Sequence, residues 1–289
     1  MRSCVLGSVF CFLFPYLRDL MKRHLFAFGT SLALLAISGA AHAAVVNIDF
    51  GLHGDHPGGP TSVGYAGTAA APDAGTTWNN LQVTDNNAFH GPPGEFGWWS
   101  ASVSQSNLLN SQGAPTSIGV EAVGVGEGST GAFAILEGSP NLGAVATDAV
   151  GLMRDYLIGF NEPRQVKLSG FAPGTSVDLY LYGAGDTSNR DTLFAVTDVN
   201  GPHSATTTGT ITGDGNNPVS HTLTLGGDYV VLNGILADAN GGIAITYFHG
   251  DGSGEAPFNG LQAVYNVPEP ATLGLAGMGV VALLLRKRR

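Results

Sequence analysis

The sequence predicts an all-β chain, a β-sandwich or jelly roll, with an apolar segment near each end, the C-terminal one a hydrophobic helix. Short runs of alternating apolar residues recur between turn signals, the pattern of half-buried strands. No stretch between the two ends carries a long 3.6-residue apolar stripe with helix caps. That central region is rich in Gly, Thr, Ser, Ala and Asn, yet its alternation argues for a packed core rather than disorder.

Taken in order, the chain first shows an apolar segment, residues 1–20, that the following element does not need. Met21-Lys22-Arg23-His24 is a basic cluster, Leu25 to Ile37 are thirteen uncharged residues, and Ala41-His42-Ala43 is an A-x-A cleavage pattern before Ala44. This order describes a secretory signal peptide, residues 21–43, and thirteen apolar residues are too few to span a bilayer. Translation is therefore expected to start at Met21, with residues 1–20 a mis-assigned start. Both cysteines, Cys4 and Cys11, lie there. The mature body has none, so disulfides, thiolate metal sites and thiol nucleophiles are excluded from it.

Charge separates the body from its ends. Of twelve Lys and Arg, eight fall in the two ends, which leaves Arg154, Arg164, Lys167 and Arg190 in the body. Of twenty-two acids only Asp19 and Glu269 lie outside it, so the body carries twenty and a net charge near −16. A surface of that sign cannot neutralise phosphates, which excludes nucleic acid as a main partner and makes an anionic membrane unsuitable.

The body, residues 44–266, opens on Val45-Val46-Asn47-Ile48-Asp49-Phe50, a strand. Gly- and Pro-rich loops follow, around 53–64 and 86–97. Val166 to Ser169, Ser176 to Tyr182 and Thr192 to Thr197 read as strands, with Val177, Leu179 and Leu181 on one face. Asn200-Gly201 is a hairpin-type dipeptide. His221 to Leu225, Tyr229 to Leu236, Gly242 to Phe248 and Leu261 to Tyr265 continue the series. One domain of this length suits an all-β fold, with two subdomains meeting near Gly138-Ser139-Pro140 as the alternative. The turn Leu168-Ser169-Gly170-Phe171-Ala172-Pro173-Gly174, the strand Tyr180-Leu181-Tyr182 and the closing Phe258-Asn259-Gly260-Leu261-Gln262 resemble galactose-binding-like and malectin-like jelly rolls. That resemblance implies a sandwich fold.

Chemistry in the body is sparse. Gly126-Glu127-Gly128-Ser129-Thr130-Gly131 matches G-x-G-x-x-G by letter, but the helix a dinucleotide site needs has no room before Gly138-Ser139-Pro140. Neither G-x-S-x-G nor H-E-x-x-H occurs. Glu121, Glu127, Glu137 and Glu162 are available carboxylates, and nothing pairs any two. The expectation is a non-enzyme without a cofactor. Asp49, His53, Asp55 and His56 form the densest metal-capable cluster, in what reads as a surface loop. Three acidic turns could take a structural calcium through Asp214, Asp238, or Asp251 with Glu255, although Asp and Asn beside Gly are also ordinary turn residues. Phe96, Trp98 and Trp99 are the candidate sugar-stacking rings, against the alternative that one ring enters the core.

The C-terminal region has three parts: Pro268-Glu269-Pro270 after Val267, the uncharged run Ala271 to Leu285, and Arg286-Lys287-Arg288-Arg289. Fifteen residues span about 22 Å as a helix, short of a hydrocarbon core near 30 Å, so crossing requires thinning or snorkelling. The basic cluster should stay cytoplasmic as a stop-transfer signal while the signal peptide sends the body outward. This tail, residues 267–289, resembles the PEP-CTERM sorting signal of Gram-negative bacteria. The resemblance implies processing by an exosortase, a membrane-embedded protease, with Pro268, Glu269 and Pro270 as the sorting motif. The sequence thus predicts a protein exported across the inner membrane, cut by signal peptidase, held transiently by its tail, and released to the cell surface or matrix. A carbohydrate-binding module of the exopolysaccharide layer is the alternative, and a secreted hydrolase the third.

Overall fold

The computed structural model describes residues 42–52, 65–72, 74–83, 89–90, 95–100, 102–123, 130–135, 152–153, 155–159, 163–185, 190–208, 222–250 and 254–267. By internal contacts Ala43–Asn266 is one compact unit, and the two ends of the chain form the other. Among the described residues no helix is long and apolar enough to cross a membrane. The signal segment up to Ala41 and the tail from Pro268 lie outside the described residues, as does the boundary considered near Gly138-Ser139-Pro140.

The described body is nearly all strand, arranged in three sheets. The first has five strands: β13 (Tyr229–Leu236), β10 (Ser176–Tyr182), β16 (Gly260–Val267), β1 (His42–Leu52) and β2 (Asn79–Val83), in that order. The second runs β12 (Gly201–Thr207), β11 (Thr192–Asp198), β14 (Ile243–Phe248), β9 (Arg164–Ser169), β6 (Gly119–Val123), β5 (Ser102–Gln105). The third runs β15 (Ala256–Phe258), β8 (Asp155–Gly159), β7 (Thr130–Ile135), β4 (Glu95–Ser100), β3 (Phe89–His90). Its pairings are antiparallel throughout.

Alternation explains why the first two sheets pack together. Val177, Leu179 and Leu181 of β10 enter one apolar core with Ile48 and Phe50 of β1 and Leu261 of β16. From the second sheet Val166, Phe194, Val196, Ile243 and Ile245 join the same core. This is the sandwich that the sequence predicts, two sheets closing over their inward rows. Phe258 sits among three rings, edge-on to Phe50 at 4.9 Å, Phe194 at 4.8 Å and Tyr247 at 5.1 Å between centroids. Such T-shaped pairs add about 0.5–1.5 kcal/mol each beyond the area they bury.

One expected strand is absent. His221 lies outside the described residues, and Thr222 to Thr224 form no strand although they alternate like one. Asp228 is the reason. Its Oδ2 accepts the Thr224 amide at 2.7 Å and the Thr224 hydroxyl at 2.8 Å, while its own amide donates to the Thr224 carbonyl. That local ring folds the segment into a turn before β13. A lesser difference concerns the hairpin at Asn200-Gly201. Asp198 pairs with Gly201, so the loop is Val199-Asn200 and Gly201 already opens β12.

Candidate functional site

The outer face of the five-stranded sheet carries a second, aromatic cluster. Alternation that buries Leu179 and Leu181 inward turns Asp178, Tyr180 and Tyr182 of β10 outward. In β13, Tyr182 pairs with Tyr229 and Tyr180 with Val231. Tyr65, Leu152, Met153, Tyr182 and Ala184 form the buried part of this cluster, with Trp78, Tyr180, Leu223 and Tyr229 packed against it and half-buried.

A ladder of buried polar groups fixes the segment that covers half of this face. Gln262 of β16 donates to Asn47 Oδ1 at 2.8 Å, and its Oε1 accepts the Ala71 amide at 2.9 Å and the Tyr182 hydroxyl. Tyr182 in turn accepts the Ala70 amide at 2.8 Å. Asn47 Nδ2 donates to the carbonyls of Ala74 and Thr77, and Asp49 Oδ2 accepts the Tyr65 amide at 2.8 Å. These partners lie 16 to 215 residues apart in sequence. Residues 65–78 are thereby strapped across β1 and β16. Burial pushes the Tyr182 phenol far above its ordinary value, so it stays a neutral donor.

Beyond the strap, Tyr180 and Tyr229 remain half-exposed. Their rings stack at 6.4 Å between centroids and 24° between planes. Burial, then the charges of Asp178 and Tyr229, raises the Tyr180 phenol as well. Asp178 itself is committed to the backbone: its Oδ1 accepts the Gly234 amide at 2.8 Å, beside the register shift between β10 and β13. The exposed side chain of Asn233 lies next to Gly234 in sequence. The result is a stacked, half-buried pair of tyrosine rings on the outer face of the sheet, with polar Asp178 and Asn233 on the same two strands.

A charged cluster occupies the ends of β8, β11, β14 and β15. Arg190 and Glu255 form an ion pair at 3.1 Å, and the Tyr156 hydroxyl donates to Glu255 Oε2 at 3.1 Å. His249, buried, meets Asp191 at 2.6 Å. Glu255, a candidate calcium ligand in the sequence, is here the partner of a guanidinium and a phenol.

The other sequence candidates fall as follows. Asp238 Oδ1 accepts the amides of Asn240 at 2.7 Å and Gly242 at 2.8 Å, which makes it the hub of the β13–β14 turn. Asp238 precedes β14 and Glu255 follows it, so a six-residue strand, roughly 20 Å, separates them and one ion cannot take both. Asp214 and Asp251 lie outside the described residues, as do His53, Asp55 and His56. Among the described residues no three His, Asp or Glu gather to hold a metal ion. Glu121 lies on β6 opposite Lys167. Thr130 and Gly131, the end of the G-x-G-x-x-G match, open strand β7, where a dinucleotide site needs a helix. Phe96, Trp98 and Trp99 lie on β4, paired with Ala134, Ala132 and Gly131 of β7. β4 belongs to the third sheet and not to the five-stranded sheet that carries the tyrosine face. Ala43 and Ala44 stand at the start of β1, and Ala41 lies outside the described residues.

The tyrosine face is absent from the sequence reading, although its signal is present. The alternation that assigns Val177, Leu179 and Leu181 to the core leaves Tyr180 and Tyr182 together on the opposite side.

No curated protein matches this chain. The solved structure of TmCBM61 in complex with β-1,4-galactotriose aligns over 40% of this chain and 72% of that one, at 14% identity and a TM-score of 0.20. A superposition that loose informs neither fold nor ligand. The sequence match is local and specific: residues 266–289, beginning at the last two residues of β16, carry the PEP-CTERM protein-sorting motif.

Proposed function

We propose that this is an exported, non-enzymatic surface or matrix protein whose tail is processed by an exosortase. The observation that carries the reading is the sorting motif at 266–289, joined without a linker to a strand in the middle of a sheet. Proline fixes φ and disfavours the helical region for the residue before it, so the sequence Pro268-Glu269-Pro270 favours the extended form a protease substrate needs. Replacing Pro268, Glu269 and Pro270 together by alanine should leave full-length protein in the inner membrane of an exosortase-containing host. Fractionation with mass analysis of the C-terminus reads the outcome. Wild-type protein outside the inner membrane that still ends at Arg289 would overturn the reading.

A second reading, glycan contact by the body, is favoured by one observation: the stacked, half-exposed Tyr180–Tyr229 pair on the outer face of the sheet. Sugar rings stack on flat aromatic faces through their C–H edges, and an acidic body directs this site towards neutral rather than acidic polymers. Tyr180→Ala with Tyr229→Ala should lower binding to a neutral exopolysaccharide at least tenfold while leaving the melting temperature within a few degrees. Binding unchanged by both substitutions removes this reading and leaves the sorting one intact.

A further inference from the structure

The turns of the body divide by charge between its two ends, a division whose use rests on the export reading above. Strand pairing assigns the turns to their ends. β9, β11 and β13 finish where β10, β12 and β14 begin, since Leu168 lies opposite Ile243, Asp198 opposite Gly201 and Leu236 opposite Ser176. β16 finishes at the same end, with Tyr265 opposite Val177, and β6 begins there, with Gly119 opposite Ser169. Segments 106–118, 170–175, 199–200 and 237–242 therefore meet at one end. They are tied together. Ser117 Oγ donates to the Gly170 carbonyl at 2.8 Å, the Phe171 amide to the Gly241 carbonyl at 3.2 Å, and the Leu236 amide to Asp198 at 2.9 Å.

In an acidic body these four segments hold one charged residue, Asp238, whose Oδ1 is taken by the amides of Asn240 and Gly242. The Asp198 side chain beside them is 1% exposed. Next inward, Glu121 and Lys167 stand opposite each other, and Asp178 is bonded to the Gly234 amide. The other end differs. Asp228 precedes β13, Arg190 and Asp191 precede β11, and His249 follows β14, with Glu255 paired to Arg190. Apolar exposure divides the opposite way. Among the described residues four large apolar side chains stand exposed: Val199 at 82%, Leu225 at 66%, and Leu109 and Val267 at 38% each. Val199, Leu109 and Val267 belong to three separate segments of the nearly uncharged end, where Ala114, Pro115, Ala172 and Pro173 are exposed as well. Leu225 alone lies at the charged end, bridged to Tyr229.

Chain length says what this end faces. Val267 closes β16, and the uncharged run begins four residues on, at Ala271. Four residues of extended chain reach at most about 14 Å. The interfacial layer on each side of a hydrocarbon core is itself about 5–8 Å deep. A tail inserted in a membrane thus keeps the end of the body that carries Val267 within a few ångströms of the headgroups. Anionic headgroups repel acidic groups within a Debye length, about 8 Å, so only the nearly uncharged end can approach so closely. We propose that this end is a membrane-seating surface: while the tail is uncut, Val199, Leu109 and Val267 rest on the lipid interface and the charged end points away. Even one long acyl chain holds a protein only marginally, so three short side chains orient an anchored body and release it once the tail is cut. The seat also keeps Pro268-Glu269-Pro270 at the depth of a membrane-embedded protease.

The test uses the full chain, made in a host without exosortase, with Cys4→Ser and Cys11→Ser, and reconstituted into phosphatidylcholine vesicles. Single substitutions Val199→Cys, Ala172→Cys and Leu225→Cys, all at exposed positions, carry a fluorophore. Lipids bearing a quencher at the headgroup report contact. Quenching at positions 199 and 172 should exceed that at 225 at least threefold. Equal quenching at the three positions, or none at 199 and 172, overturns the proposal. A signal at 199 that changes only when exosortase is added, or only with the ratio of protein to lipid, would assign the surface to that protease or to a second copy, and lipid seating would fall. Flotation of the same sample tests the tail separately. A chain that does not float with the vesicles fails at the tail, and the seat fails with it; a chain that floats without the quenching difference refutes the seat and leaves the sorting reading intact.

Discussion

A single carboxylate shows how this acidic body uses its charges. Asp198 ends β11, and its Oδ2 accepts the Leu236 amide at 2.9 Å. Its Oδ1 accepts the Asn200 amide at 2.8 Å and meets His203 Nε2 at 3.2 Å. The Leu236 bond first, then those of Asn200 and His203, hold the carboxyl below its ordinary value against the opposing effect of desolvation. A depressed carboxylate contributes stability that is fully present above its unfolded value, about 3.9, and lost as pH falls through the folded value. Melting temperature should therefore drop most steeply below about pH 4. Asp198→Asn offers one acceptor where three donors converge, so it should melt lower at neutral pH and lose less on acidification. Parallel melting curves for the two proteins from pH 6 to pH 3 would show that Asp198 carries none of the acid sensitivity. Asp178, Asp228 and Asp238 follow the same design, each accepting backbone amides. This is why acid-rich turns that look ready for calcium are satisfied within the chain where they are described.

At the scale of elements, legibility tracked alternation. β9, β10, β11, β13 and β14 alternate against a core, β16 is buried from Gly260 to Ala263, and the expected strands match them within a few residues. Of those missed, β6, β8 and β15 are buried, and two others are of another kind. β5, Ser-Val-Ser-Gln, is exposed or half-exposed throughout, and β12, Gly-Pro-His-Ser-Ala-Thr-Thr, reaches full burial only at Thr207. Both are edges of the six-stranded sheet. An edge with little to bury has no apolar row to reveal it, and the proline of β12 suits that position. Among the described side chains of β2, Leu81 is apolar and deeply buried beside Asn79, whose amide bonds to the carbonyls of Asn47 and Leu109. Thr222 to Thr224 fail in the opposite direction, since their alternation is overruled by one carboxylate four residues on. The aromatic cluster was legible only in half. Tyr180 and Tyr182 share a face by periodicity alone, but their meeting with Tyr229, Tyr65 and Trp78 depends on pairings and a strap that no local pattern encodes. Gln262 and Asn259 read as marks of a fold resemblance, and the structure shows their work: Asn259 accepts the Ala184 amide and donates to the Met153 carbonyl.

For the whole molecule, the decisive contrast is between an acidic body and an apolar, basic-tipped tail. β16 runs to Val267, so the sorting motif begins while the chain is still in a sheet. Before cleavage, a body of net charge near −16 is joined to the membrane run through Pro268-Glu269-Pro270 alone. Anionic headgroups repel such a body, and the repulsion acts within a Debye length, about 8 Å at physiological salt. On the reading proposed above, attachment comes from the tail's hydrophobic run, with Arg286 to Arg289 retained on the cytoplasmic side. These two sources of attachment respond oppositely to salt. A protein held by charge on its body is released as ionic strength rises, whereas one held by a buried apolar run is indifferent to salt and yields to detergent. The uncut Pro268, Glu269 and Pro270 triple alanine variant should accordingly stay with inner membranes through a wash at about 1 M salt, where the Debye length is about 3 Å, and be solubilised by mild detergent. The processed body should fail to sediment with anionic vesicles at any ionic strength. Release of the uncut variant by salt alone would mean that the body itself binds the envelope, and the tail would then be a sorting signal without an anchoring role.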